Sequence, residues 1–123
     1  MRAFWPGALT IVVKASPRIP PVLTAATGTI GLRMPAGPVA QALLATFAGP
    51  IIGTSANKTG GADPAEAKTV QKAIGGQIDL ILDGGRVLLG VPSTVIDCTG
   101  ERARILREGA ISRMKLQEKI VLT

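Results

Sequence analysis

With 123 residues, 46% hydrophobic content and fourteen Lys and Arg against eight Asp and Glu, the chain is long enough for one domain with a modest core. A single cysteine and no histidine exclude an intrachain disulfide, a Cys/His zinc site and a histidine-based catalytic triad. The strongly apolar stretches are strand-sized runs such as Leu9 to Val13 and Leu80 to Leu82, far short of the roughly 20 residues that span a bilayer, and the start Met1 to Pro6 lacks a secretory pattern, so no membrane partner and a cytoplasmic location are expected.

Leu9 to Val13 reads as a buried strand, broken by Ser16 to Pro21, whose prolines remove donors and fix φ. Thr29 to Met34 is a second strand. Gly37-Pro38 opens a helix in which Val39, Leu43 and Phe47 recur at helical spacing until Gly49-Pro50; this helix is expected to pack on a sheet. Ile51 to Ser55 reads as a short strand running into the polar loop Ala56 to Gly61. Asp63-Pro64-Ala65-Glu66 predicts a helix start, with Asp63 as N-cap, and the helix runs to Ile74 before Gly75-Gly76. Asp79 to Asp83 is a further strand and Gly84-Gly85 a turn. Val91 to Asp97 and Arg102 to Arg107 form a hairpin across Cys98 to Glu101, and Ser112 caps a short final helix. The mixture predicts an α/β domain, bordering on α+β, with a twisted mixed sheet and flanking helices. No repeat or linker divides residues 1–123 into two domains.

The positive balance favours anionic partners, either nucleotides or RNA, with a merely soluble basic surface as the bland alternative. Three aromatic residues, Phe4, Trp5 and Phe47, are few for stacking exposed bases, so phosphate contact is the better use of the charge. Cys98 reads as a small apolar residue rather than a reactive thiol.

Five strings carry chemical information. Phe4-Trp5-Pro6-Gly7-Ala8-Leu9-Thr10 supplies core anchors and a turn. In Thr29-Ile30-Gly31-Leu32-Arg33-Met34-Pro35, Thr29, Gly31 and Arg33 share one face of a period-two strand, polar and open to a ligand. Thr54-Ser55-Ala56-Asn57-Lys58-Thr59-Gly60 ends a strand in small polar side chains and backbone N–H groups that can cradle an anion, although a plain connection reads equally well and a Walker A loop is excluded. Gly90 to Asp97 and Ile105 to Ile111, taken singly, read as strands with solvated charges.

Taken in order, F-W-P-G-x-L-T, T-x-G-x-R-x-P, T-S-A-N, D-G-G, G-V-P-S-T-V-I-D and L-R-E-G-A-I resemble the YrdC-like family of threonylcarbamoyl-AMP synthases from about Phe4 to Ile111. The resemblance implies a single YrdC-like domain and a nucleotidyltransferase that forms threonylcarbamoyl-AMP from L-threonine, bicarbonate and ATP, with Mg2+, for transfer-RNA N6-threonylcarbamoyladenosine modification. It implies that Arg33, Gly53 and Ser93 hold threonine, and that Thr29, Ser55, Asn57, Asp63 and Arg107 contact ATP. No catalytic or metal-binding side chain is assigned. It further implies that the family's N-terminal segment with its Lys-x-Arg motif is absent before Phe4, which would open a sheet edge to homo-oligomerisation. Two alternatives stand beside this reading: a non-catalytic module binding tRNA or double-stranded RNA, and an inactive fragment of the enzyme.

Overall fold

A computed structural model describes residues 2–87 and 91–123; Gly90, the first residue of the fourth string, lies outside them. The chain divides into two compact units, one made of Met1–Ala36 with Val91–Thr123 and the other of Gly37–Gly90. The fold is α/β.

The first unit is built on a four-stranded sheet. Its strands are β1 (Leu9–Lys14), β2 (Thr29–Leu32), β3 (Thr94–Asp97) and β4 (Arg104–Arg107), in the order β2-β1-β3-β4. β1 pairs antiparallel with β2 and parallel with β3, and β3 pairs antiparallel with β4, so the sheet is mixed, as expected. Alternation along β1 sends Leu9 and Ile11 to one face, where they are buried with Ile96 of β3. Leu116, fully buried, joins them from a short helix near the C-terminus (Arg113–Gln117). Full burial of a leucine such as Leu9 or Leu116 contributes roughly 2 kcal/mol. Phe4 and Trp5 pack against this core, as their aromatic character predicts, and Trp5 Nε1 donates to the Leu9 carbonyl at 2.8 Å.

Ser112 caps that C-terminal helix as the sequence predicts, its Oγ accepting from the Lys115 N–H at 3.4 Å. Beyond it, Leu122 bridges Ala103 in parallel and the Thr123 N–H donates to the Ala103 carbonyl at 3.0 Å, so the C-terminus is tied beside the start of β4.

The second unit begins with α1 (Pro38–Phe47), with proline in its first turn as expected. Ala48, at φ 54°, closes it by donating from its N–H to the Leu44 carbonyl. α1 buries none of its residues, and within its unit no strand is present among the described residues. Instead Val39 and Leu43 line an apolar hollow of about 610 Å³ with Val70, Leu80, Leu82 and Val87.

Three expectations for this unit are corrected. Ile51 to Ser55 and Asp79 to Asp83 are not strands, because an apolar run becomes a strand only when a ladder partner satisfies its backbone. The helix α2 spans Ala67–Ile74 with Glu66 as N-cap, not Asp63. The reason is local: the Ala65 carbonyl accepts from the Val87 N–H at 2.8 Å and the Glu66 carboxylate pairs with Arg86 at 3.1 Å. These contacts hold Ala65 and Glu66 against the returning chain, and Glu66 adopts extended rather than helical dihedrals. Where the sequence predicts a glycine turn, Gly85, at φ 86°, donates its N–H to Asp83 Oδ1 at 2.9 Å. The arm Arg113–Gln117 of the first unit is α3 in chain order.

Candidate functional site

The face of the sheet opposite the core carries the polar residues. Alternation places Thr10, Val12 and Lys14 there, and the register sets Gly31 beside Val12, Thr29 beside Lys14 and Val95 beside Thr10. A bulge decides where Arg107 falls. The β3–β4 register shifts between Val95 and Ile96, so that Ile96 faces Ile105 while Val95 faces Arg107. Without the extra residue, Arg107 would stand opposite Thr94 on the core face; the bulge turns it to the polar one.

Ser93, just before β3, is the centre of this arrangement and only 7% exposed. Arg107 donates to the Ser93 carbonyl from Nε at 3.2 Å and from Nη2 at 3.0 Å, and Nη2 also lies 3.4 Å from Ser93 Oγ. On its other side Ser93 Oγ is 2.8 Å from Thr10 Oγ1. Arg33 follows β2 directly, one position beyond the Ile11–Leu32 pair and so level with Thr10. Its Nε donates to the Gly7 carbonyl at 3.0 Å, and the Gly7 N–H returns a bond to Met34 at 2.8 Å. A side chain at Gly7 would collide with the Phe4 carbonyl, so the Pro-Gly turn that anchors Arg33 needs its glycine.

The segment after β4 locks Ser93 in place. Thr94, fully buried, donates from Oγ1 to the Ile111 carbonyl at 2.6 Å and accepts from the N–H groups of Gly109 at 2.9 Å and Ile111 at 3.0 Å. The Ala110 N–H reaches the Pro92 carbonyl at 3.0 Å, and Glu108 accepts from the Arg113 N–H at 2.8 Å. A Cβ on Gly109 would strike the Pro92 carbonyl and the backbone of Ser93, so glycine is required for this approach.

Arg33, Ser93 and Arg107 are thus gathered around Thr10. Thr29 shares their face but stands at the other end of β2, about 13 Å from Arg33 along the strand. Its hydroxyl is 2.9 Å from that of Thr27. A ligand that met both Thr29 and Arg33 would have to span that length of β2.

In the second unit, Gly53, Ser55 and Asp63 are exposed, and a Cβ at Gly53 would meet no atom within 4 Å, leaving its backbone approachable. Asn57 donates from Nδ2 to the Gly61 carbonyl at 2.5 Å, and the Gly61 N–H donates to Lys58 at 2.8 Å, closing the loop on itself. Asn57 Oδ1 is buried without a partner. None of these residues lines the apolar hollow.

Charge is distributed unevenly. The sheet unit holds ten Lys and Arg against four Asp and Glu, while the other unit holds four of each, so the whole excess of +6 belongs to the unit with Arg33, Ser93 and Arg107. At the far end of the polar face the carboxyl of Asp97 is held below its ordinary range, first by the Thr99 hydroxyl, then by the Thr99 N–H, with a further contribution from Arg104. Cys98 is exposed rather than packed as a small apolar residue. Partial desolvation and the neighbouring Asp97 push its thiol up, away from the reactive thiolate.

Sequence reasoning passed over Thr10 and Thr94. Thr10 had a signal, being the one polar residue within the apolar run Leu9 to Val13. The role of Thr94 depends on a loop fifteen to seventeen positions away, which local pattern does not reveal.

The family profile for Sua5, YciO and YrdC proteins, described as "Telomere recombination", matches residues 1–109. This chain belongs to that family. It is 38% identical over 121 residues to the threonylcarbamoyl-AMP synthase of Bacillus subtilis, covering 98% of this chain and 35% of that protein. It is 40% identical over 118 residues to a putative threonylcarbamoyl-AMP synthase of Mycobacterium tuberculosis, covering 96% of this chain and 54% of that one. The crystal structure of Pyrococcus abyssi Sua5 complexed with L-threonine superposes with a TM-score of 0.89 at 36% identity, over 99% of this chain and 37% of that one. The chain therefore spans between about a third and a half of these relatives.

Proposed function

We propose that this YrdC-like chain, read as one domain over residues 1–123, serves the synthesis of threonylcarbamoyl-AMP from L-threonine, bicarbonate and ATP, an adenylate-forming nucleotidyl transfer in tRNA modification. The observation that carries the reading is the gathering of Arg33, Ser93 and Arg107 around Thr10, in a chain whose relative was solved with L-threonine. Arg33 engages Gly7 through Nε, which keeps the terminal guanidinium nitrogens for a carboxylate fork. The family resemblance assigns Ser93 and Gly53 to the threonine contacts as well, and Arg107, Thr29, Ser55, Asn57 and Asp63 to ATP.

In the reaction, the threonine amine and bicarbonate form a carbamate with loss of water. A carbamate oxygen then attacks the α-phosphorus and pyrophosphate leaves. The chain's part is positioning and charge stabilisation, which need no histidine. Mg2+ accompanies ATP as substrate. Among the described residues no group of three or more His, Cys, Asp or Glu gathers as a metal site, and the unpartnered Asn57 Oδ1 is an oxygen of the kind that such an ion takes beside phosphates.

Among the described residues no helix is long and apolar enough to cross a membrane, and a cytoplasmic location fits tRNA modification. Titration of the chain with L-threonine in the presence and absence of Mg-ATP, followed by pyrophosphate release with bicarbonate, tests the proposal. Threonine binding that Arg33→Ala abolishes is the expected result; threonine affinity indifferent to Arg33 and Ser93 would overturn it.

The second reading, a module for tRNA or double-stranded RNA, rests on the excess charge of the sheet unit. Counterion release would make such binding fall steeply with salt. RNA affinity without nucleotide or threonine affinity would favour it.

A further inference from the structure

We propose that Thr10 is a positioning residue of the threonine site: it fixes the Ser93 hydroxyl so that the pair presents a single O–H donor toward an anionic group held between Arg33 and Arg107. This rests on the function proposed above for the same site. Thr10 lies on β1, an inner strand of the sheet, where it pairs with Val95 of β3. Its β-branched side chain has few rotamers. The two branches are committed in different directions: Oγ1 meets Ser93 Oγ at 2.8 Å, and Cγ2 lies on the Gly31 side, where an added Cβ would come within 3.4 Å of it. The missing side chain at Gly31 leaves room beside Thr10 without disturbing its hydroxyl.

The donor count follows from hydroxyl chemistry. Arg107 Nη2, 3.4 Å from Ser93 Oγ, can only donate, so it takes one lone pair of that oxygen. Between Thr10 and Ser93 one hydroxyl donates and the other accepts. If Thr10 donates, the Ser93 proton is left over; if Ser93 donates, the Thr10 proton is left over. Either way one O–H remains for a ligand, and the nearby cations Arg33 and Arg107 select an acceptor of negative charge. A carboxylate meets that requirement. Thr10 thereby acts through Ser93, and removing its hydroxyl releases Ser93 to turn.

The test compares wild type, Thr10→Val and Thr10→Ser in the full chain. Valine keeps the branched shape and suits a strand, while serine restores the hydroxyl alone. Two readouts are needed. The three-bond Hα–Hβ couplings of Ser93 should report one χ1 rotamer in wild type and Thr10→Ser, and an averaged one in Thr10→Val. L-threonine affinity should fall roughly three- to tenfold in Thr10→Val, and Thr10→Ser should recover most of it, while thermal midpoints stay close. Identical Ser93 couplings in all three chains, or wild-type threonine affinity in Thr10→Val, would overturn the inference. If wild type binds no threonine at all, the proposed function fails instead, and the couplings still decide whether Thr10 holds Ser93.

Discussion

Arg107 grips the backbone of Ser93 with two nitrogens of one guanidinium, Nε at 3.2 Å and Nη2 at 3.0 Å from the same carbonyl oxygen. The contact joins β4 to the approach of β3 across the polar face and fixes the position of the Arg107 guanidinium. Lysine offers one point charge and no planar fork. Arg107→Lys is therefore expected to weaken ATP binding by about 1–3 kcal/mol, measured by calorimetric titration. Unchanged ATP affinity would remove Arg107 from the nucleotide site.

Arg33→Lys should act on the other ligand. A lysine cannot both hold the Gly7 carbonyl, as Nε does at 3.0 Å, and offer two parallel donors to a carboxylate. L-threonine affinity is expected to fall by about 1–3 kcal/mol with ATP affinity nearly unaltered. Equal losses for both ligands would show that the two sites are not separable at Arg33.

Gly109→Ala should be among the most damaging single-methyl changes in the chain. The new Cβ would collide with the Pro92 carbonyl and the Ser93 backbone, and relief requires parting the loop from β3, where the Gly109 N–H bonds Thr94 Oγ1 at 2.9 Å. A loss of about 2 kcal/mol or more is expected from denaturant unfolding. A variant as stable as wild type would mean that the Pro92–Gly109 contact is not maintained in solution.

Asp97 gives a pH dependence with a definite sign. Its carboxyl is held below the ordinary 3.8 by the Thr99 hydroxyl and N–H and by Arg104. A lowered folded value means that the ionised group stabilises the fold fully above 3.8, and that this contribution is lost as pH falls through the lower value. Asp97→Asn should therefore flatten part of the acid limb of a stability–pH curve, while its difference from wild type should be largest toward neutral pH. Parallel curves for the two chains would rule out this linkage.

Much of the sheet unit is legible in the sequence because its signals are local. Leu9 to Val13 has the apolar density of a central strand, Cys98 to Glu101 has the composition of a hairpin, and Ser112 is a cap placed before its helix. The second unit is harder to read. Ile51 to Ser55 and Asp79 to Asp83 have the apolar content of strands, but pairing is a property of neighbours that the segment itself does not encode. The start of α2 is not legible locally, because Arg86 and Val87, twenty or more residues along, engage Glu66 and Ala65. At the site, Arg33 and Ser93 are recognisable by their strings, whereas the bulge that turns Arg107 onto their face and the hydroxyl of Thr10 emerge only once the strands are aligned.

The parallel pairing of β1 with β3 also imposes an order on folding. Thr10 and Ser93 are 83 positions apart, and closing a flexible loop of that length costs roughly 4 kcal/mol before its constant term. During synthesis β1 and β2 emerge before β3, and Gly37–Gly90, continuous in sequence, follows them as a unit able to gather before β3 exists. The β1–β3 ladder must wait for residues 94–97. Until then Leu9 and Ile11 lack Ile96 and Leu116, so a nascent chain stalled at Gly90 would display the apolar side of β1 to chaperones and to other unfinished chains.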